Sequence, residues 1–145
     1  MKKFVAFVFV LSVIVYLNGM TAHAQGKGRD QEAKEARNEE KLEERIERNP
    51  ALKAKIESLL PPGANVKRAA SGFRNEGQFI AALHASRNLN IPFDQLKAQM
   101  TGSNAVSLGE AIQKLSPGMT EKQAKEEAKK AEKQAKVTEK TKPIS

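Results

Sequence analysis

Outside an N-terminal leader this chain of 145 residues has one histidine, His84, and no cysteine anywhere. Nucleophilic catalysis of the Ser-His-Asp or Cys-His kind needs a base beside the nucleophile, so His84 is the weak catalytic candidate of the chain. Its possible carboxylate partners are Glu76 and Asp94; Glu57 and Glu110 complete the acids between Asn49 and Gly118. Paired carboxylates can run acid-base chemistry, yet three of these four already have a structural reading. Glu76 and Asp94 fall in first helical turns, where the helix dipole favours an acid, and Glu110 completes a capping box with Ser107. His84 itself lies at the edge of an apolar helix face, where a histidine usually packs and donates to a backbone carbonyl.

Binding chemistries are equally sparse. Transition-metal sites want several His or Cys ligands, and a calcium loop wants closely spaced acids around a glycine; neither pattern occurs. GxxxxGK[ST] and GxGxxG phosphate loops are missing, so no metal or cofactor is expected. Basic side chains gather at Lys67, Arg68 and Arg74 before one helix, and Arg74, His84 and Arg87 make a candidate interaction rim. The three phenylalanines beyond the leader, Phe73, Phe79 and Phe93, read as core rather than as a stacking surface, which argues against nucleic acid as a partner.

The elements that must hold these residues are all helices. Asn49-Pro50 reads as N-cap and first residue of a helix whose apolar stripe is Leu52, Ile56, Leu59 and Leu60, ended by Pro61-Pro62-Gly63. A short second helix follows at residues 64–70. Asn75 and Gln78, spaced as a capping box, open a third that runs to about Asn88. With Phe79, Leu83 and Ile80 on one side and Ala81, Ala82 and Ala85 on the others, it reads as the central, most enclosed helix. Ile91-Pro92 opens a fourth carrying Phe93, Leu96 and Met100 and ending at Thr101-Gly102; Ser107 and Glu110 open a fifth that buries Leu108, Ile112 and Leu115.

Two charged segments flank this core. Residues 25–48 hold seven basic and eight acidic side chains, with Leu42 and Ile46 alone as large apolar residues, so a solvated helix docked by its last turns is expected. Thr120 and Gln123 open a C-terminal helix in which Ala124, Ala128, Ala131 and Ala135 repeat with coiled-coil-like spacing. Alanine buries little area, so a helical or disordered tail standing in solvent is expected, with a partner helix against the alanine seam as the alternative.

Ahead of all this, Lys2 and Lys3, the apolar run from Phe4 to Leu17 and Ala22-His23-Ala24 have the order of a secretory signal peptide, cleaved between Ala24 and Gln25. The run is shorter than the roughly 20 residues that span a bilayer, so no membrane span is expected after cleavage. Without the two leader lysines, 25 basic against 17 acidic residues become a net charge of about +6, both signs interleaved.

The expected organisation is therefore a signal peptide (1–24), a charged helical arm (25–48), a compact all-α domain of four or five short helices (49–118) and a Lys/Glu/Ala-rich tail (119–145). The runs "NPALKAKIESLLPPG", "GFRNEGQFIAALHASRNLNIPFDQLKAQMTG" and "SLGEAIQKL" resemble a family of small exported bacterial proteins of acidobacterial type with no known function. The resemblance covers about half of the chain and implies a leader, a short helical domain and a charged tail; it brings no catalytic residue. Together these readings point to an exported, non-enzymatic helical protein of the periplasm or cell envelope, working through an unknown protein partner or self-association. The alternatives are a small enzyme using His84 and a nearby carboxylate, and an electrostatic binder of anionic envelope polymers or nucleic acid.

Overall fold

Seven helices and no strand make up the computed structural model, which describes residues 26–142 in backbone and, at Lys34 and from residue 36 onward, in side chain. The leader and the Ala24-Gln25 cleavage point lie outside the described residues. The order is α1 (Gly26–Glu47), α2 (Pro50–Leu59), α3 (Val66–Ala70), α4 (Glu76–Leu89), α5 (Phe93–Met100), α6 (Leu108–Leu115) and α7 (Glu121–Glu139). It is the all-α bundle the helical periodicities require.

Most boundaries are set by caps that the local sequence supplies. The Asn49 side chain accepts from the Leu52 N–H at 3.1 Å, Asn65 from Arg68 at 2.9 Å and Asn75 from Gln78 at 2.9 Å. Each bond satisfies a backbone donor that a helix N-terminus otherwise orphans. Ser107 with Glu110 and Thr120 with Gln123 form complete capping boxes. At Asn75 only half of the expected box is made, since no bond from the Gln78 side chain returns to the cap. Asn90 ends α4 in the left-handed conformation, φ 52°, a role the short polar side chain of asparagine tolerates.

The core forms around α4. Phe79, Ile80, Ala81, Ala82, Leu83 and Ala85 are all buried, so the helix is enclosed on every side. Phe73, Phe79 and Phe93 meet above it as a trio with ring centroids 5.5 and 6.1 Å apart, edge-on and offset geometries that suit the ring quadrupole. Leu52 and Ile56 close it from α2, Leu96 and Met100 from α5, Leu108 and Ile112 from α6.

The C-terminal helix departs from expectation. It was expected in solvent, but α7 is an integral wall of the bundle, and its most extensive neighbour is α4. Ala124, Ala128, Ala131, Ala135 and Thr138 are all buried. The reason lies in the partner: α4 presents Ala81 and Ala85 on the face that Phe79 leaves free, and small residues on both helices permit a close approach. The two run antiparallel, since Asn88 bonds Gln134 at 2.7 Å while His84, one turn earlier, bonds Thr138 at 2.9 Å. Gly109, buried on α6, also faces α7, and a Cβ there would meet Lys125 Cγ at an ordinary contact distance of 3.5 Å.

The N-terminal helix fits its expectation. Among its described side chains only Leu42 and Ile46 are buried, and Lys34, Ala36, Arg37 and Asn38 are exposed. Polar contacts complete the docking: Glu39 accepts from the Gly72 N–H at 2.5 Å, Glu43 pairs with Lys67 at 2.8 Å, and Arg45 pairs with Glu76 at 3.1 Å. Gly72 makes the first of these possible by sitting at φ +86°, where a side chain would be strained. From Gly26 to Asn38 the helix backbone runs for about 20 Å ahead of Glu39, where the described contacts with the bundle begin. Among the described residues no helix is long and apolar enough to cross a membrane.

Candidate functional site

Position on α4 decides what His84 can do. The side chain is half-buried between α4 and α7, and its Nε2 lies 2.9 Å from the Thr138 hydroxyl. The expected backbone carbonyl is thus replaced by a hydroxyl 54 residues away. Burial, with a smaller contribution from Lys55, holds the imidazole below its ordinary pKa, favouring the neutral ring. Neither expected carboxylate joins it. Glu76 is two turns up the same helix, about 12 Å along the axis. Asp94 is an exposed first-turn acid of α5.

The expected rim also divides. Arg74 is exposed in the turn before α4, and Arg87 lies near the opposite end of the helix, about 20 Å away at 1.5 Å per residue. Arg87 donates to the Ser58 carbonyl at the end of α2. It thereby closes the α2–α4 seam. Arg74 is therefore remote from Arg87, while His84 and Arg87, three residues apart on α4, turn to different seams, His84 to α4–α7 and Arg87 to α2–α4.

Glu76 holds the most unusual electrostatics. Its side chain is 3% exposed, and neither carboxylate oxygen accepts a hydrogen bond among the described residues. Burial pushes its carboxyl above the usual range; Arg45 works against that shift and Glu139 adds to it. The ion pair with Arg45, 68% exposed, is its one compensating contact. Sequence reading placed Glu76 in a first turn and missed its burial. The signal was available: at 100° per residue it falls at about 60° from Phe79, between Leu83 and Ile80 on the apolar face.

A cleft of about 280 Å³ that combines polar and apolar side chains lies between α4, α5, α6 and α7. Ala81, Met100, Leu108 and Ala135 form its floor, while Gln78, Glu132, Lys136 and Glu139 stand at its rim. Gly77 opens it, since a Cβ there would come within 3.1 Å of Glu139 Oε1. Its one hydroxyl, on Ser107, is already engaged with Glu110 at 2.9 Å. No histidine lines it. The larger, shallower grooves beside Pro61 and Pro62 are lined by Arg68, Arg87, Asp94 and Lys97, of which Arg87 and Lys97 are tied to the Ser58 and Arg68 carbonyls.

Chemically, then, the described residues bring a hydroxyl to a base at one place, Thr138 on His84, but that threonine is buried in the α4–α7 seam and no carboxylate orients the imidazole among the described residues. Among them no group of three or more His, Asp or Glu side chains is arranged to hold a metal ion. What the fold does display is charge on two outer helices, α1 and α7. Comparison with known proteins adds no relative: the chain matches no protein-family model, no curated protein and no solved structure.

Proposed function

We propose that this is an exported, non-enzymatic helical protein that works by contact with a protein partner, presenting α1 as its contact arm. The carrying observation is that α1 is helical for about 20 Å ahead of Glu39, its first described contact with the bundle, with the described side chains from Lys34 to Asn38 exposed. A helix this polar gains nothing from solvent exposure alone, and isolated helices of that length are marginal. A partner that covers it supplies the missing stabilisation. Catalysis is the weaker reading because the imidazole of His84 is committed to Thr138 and its candidate carboxylates lie elsewhere.

The test is site-specific photo-cross-linking in cells that express the full chain. A photoreactive residue at Arg37, on the projecting part of α1, should give adducts of discrete mass; one at Gln113, on α6, should give none. Unmodified chain at both positions, together with a strict monomer by light scattering, would remove the support for a contact arm.

A further inference from the structure

Acidic and basic residues alternate along α7 in sequence, but the fold sorts them in space. Taking the buried seam of Ala124, Ala128, Ala131, Ala135 and Thr138 as the inner face, the outer face at 100° per residue carries Val137 and a row of charged side chains at 4, 3, 4, 3, 4 spacing: Lys122, Glu126, Lys129, Lys133, Lys136 and Lys140. Five of these six are lysines, and all six are exposed. The other four glutamates, Glu121, Glu127, Glu132 and Glu139, fall on the flanks towards the bundle. Two of them neutralise flanking lysines, Glu121 pairing with Lys125 and Glu127 with Lys130. The five outer lysines make no ion pair among the described residues. The result is a straight basic stripe about 27 Å long and one residue wide.

We propose that this stripe is a docking surface for a linear phosphodiester polymer, held through its backbone charge alone. Charge spacing supports a chain of closely set anions. From Lys129 to Lys140 a cation recurs every 4.5–6 Å or so of helix axis, and lysine is a compact point charge that meets such groups singly. Stripe width supports a line rather than a plane. A flat anionic bilayer brought against α7 would meet the flanking glutamates as well as Glu126, whereas a chain laid along the crest passes Glu126 alone and none from Lys129 to Lys140. Val137 is the sole large apolar side chain exposed among the described residues, too little to insert into lipid. Nothing on the stripe can stack on a base, since Phe73, Phe79 and Phe93 are all buried. The surface therefore reads charge and not sequence. This inference stands apart from the contact role of α1 and uses a different helix.

The test is binding of the full chain to poly(glycerol phosphate), with vesicles of phosphatidylglycerol in phosphatidylcholine as the planar arm carrying the same phosphate chemistry. Five contacts on a flexible chain should make affinity fall about 100-fold between 50 and 200 mM salt, on the single-strand slope of about −0.7 per phosphate. Replacing Lys122, Lys129, Lys133, Lys136 and Lys140 with glutamine keeps a good helix former and leaves the alanine seam intact; circular dichroism and the melting temperature verify the fold. That variant should lose most of the affinity and flatten the salt slope. A charge-matched control, Lys34, Arg37, Lys41, Lys55 and Arg74 to glutamine, should stay within about threefold of the parent. Equal losses in the two variants, vesicles bound as tightly per phosphate as polymer, or no polymer binding at 50 mM salt would each overturn the proposal.

Discussion

Replacing Arg45 with methionine should reveal how Glu76 is tolerated. The change keeps an unbranched stem and the helix propensity but removes the cation beside a carboxylate that is 3% exposed and accepts no hydrogen bond among the described residues. At about 4 Å and an effective dielectric near 20 a unit-charge pair is worth roughly 4 kcal/mol, which sets a ceiling. Because the guanidinium is 68% exposed and screened, the expected loss at pH 7 is nearer the 1–3 kcal/mol or so of a buried polar group left without its partner. A carboxyl whose folded pKa is raised binds protons more tightly when folded. Its contribution to stability therefore grows as pH falls from the folded value towards 4.5, and is constant above that window. Removing Arg45 raises the folded value further, so the penalty of Arg45→Met should shrink on acidification. Glu76→Gln should cost little, since it removes a buried charge that Glu139 opposes, and should abolish most of the Arg45→Met penalty when the two are combined. Urea denaturation of the four proteins at pH 7 and pH 5 reads all of this. An Arg45→Met cost that is the same in the Glu76→Gln background, or that rises at pH 5, would refute the reasoning.

Three further outcomes follow from the packing. Ala131→Leu, at a fully buried point of the α7 seam, should overpack and cost about 1–3 kcal/mol in urea melts, while Val137→Lys on the exposed side should stay within about 0.5 kcal/mol; equal effects would mean α7 is not docked as described. Gly109→Ala should stabilise by up to about 0.5–1 kcal/mol, because the added Cβ meets Lys125 Cγ and Ala128 Cβ at ordinary contact distances of 3.5 and 3.8 Å and helical glycine is entropically costly; a clear loss in thermal melts would show a tighter seam. His84, titrated by NMR, should have a pKa below 6.5, and Lys55→Met should raise it. Its depressed pKa means the neutral ring's contribution to stability is complete above pH 6.5 and is lost as pH falls through the folded value, opposite in direction to Glu76.

What was legible in the sequence was local. Asn49-Pro50, Ser107-Glu110 and Thr120-Gln123 fix helix starts through bonds between residues three apart, so reading them required no partner. The enclosed character of α4 was legible for a related reason, since Phe79, Ile80 and three alanines leave no polar face. The standing of α7 was not, because four alanines carry little hydrophobic signal by themselves; their burial depends on Ala81 and Ala85 some 40 to 50 residues away. The same holds for the pairing of His84 with Thr138, which no spacing rule reaches, and for Arg87, whose partner is a backbone carbonyl of α2. Glu76 was missed for another reason. A first-turn acid has an adequate local explanation, and that explanation hid its place on the apolar face.

The central claim is that α7 is sealed onto α4 as part of one folded body while α1 projects from it. Amide hydrogen exchange of the full chain tests both halves at once, since exchange reports local opening free energies. Amides from Ala128 to Thr138 should exchange as slowly as those of α4, and amides from Gly26 to Asn38 orders of magnitude faster, as expected of a short polar helical stretch that has to stand alone. Protection in α7 no greater than in that part of α1 would contradict the account.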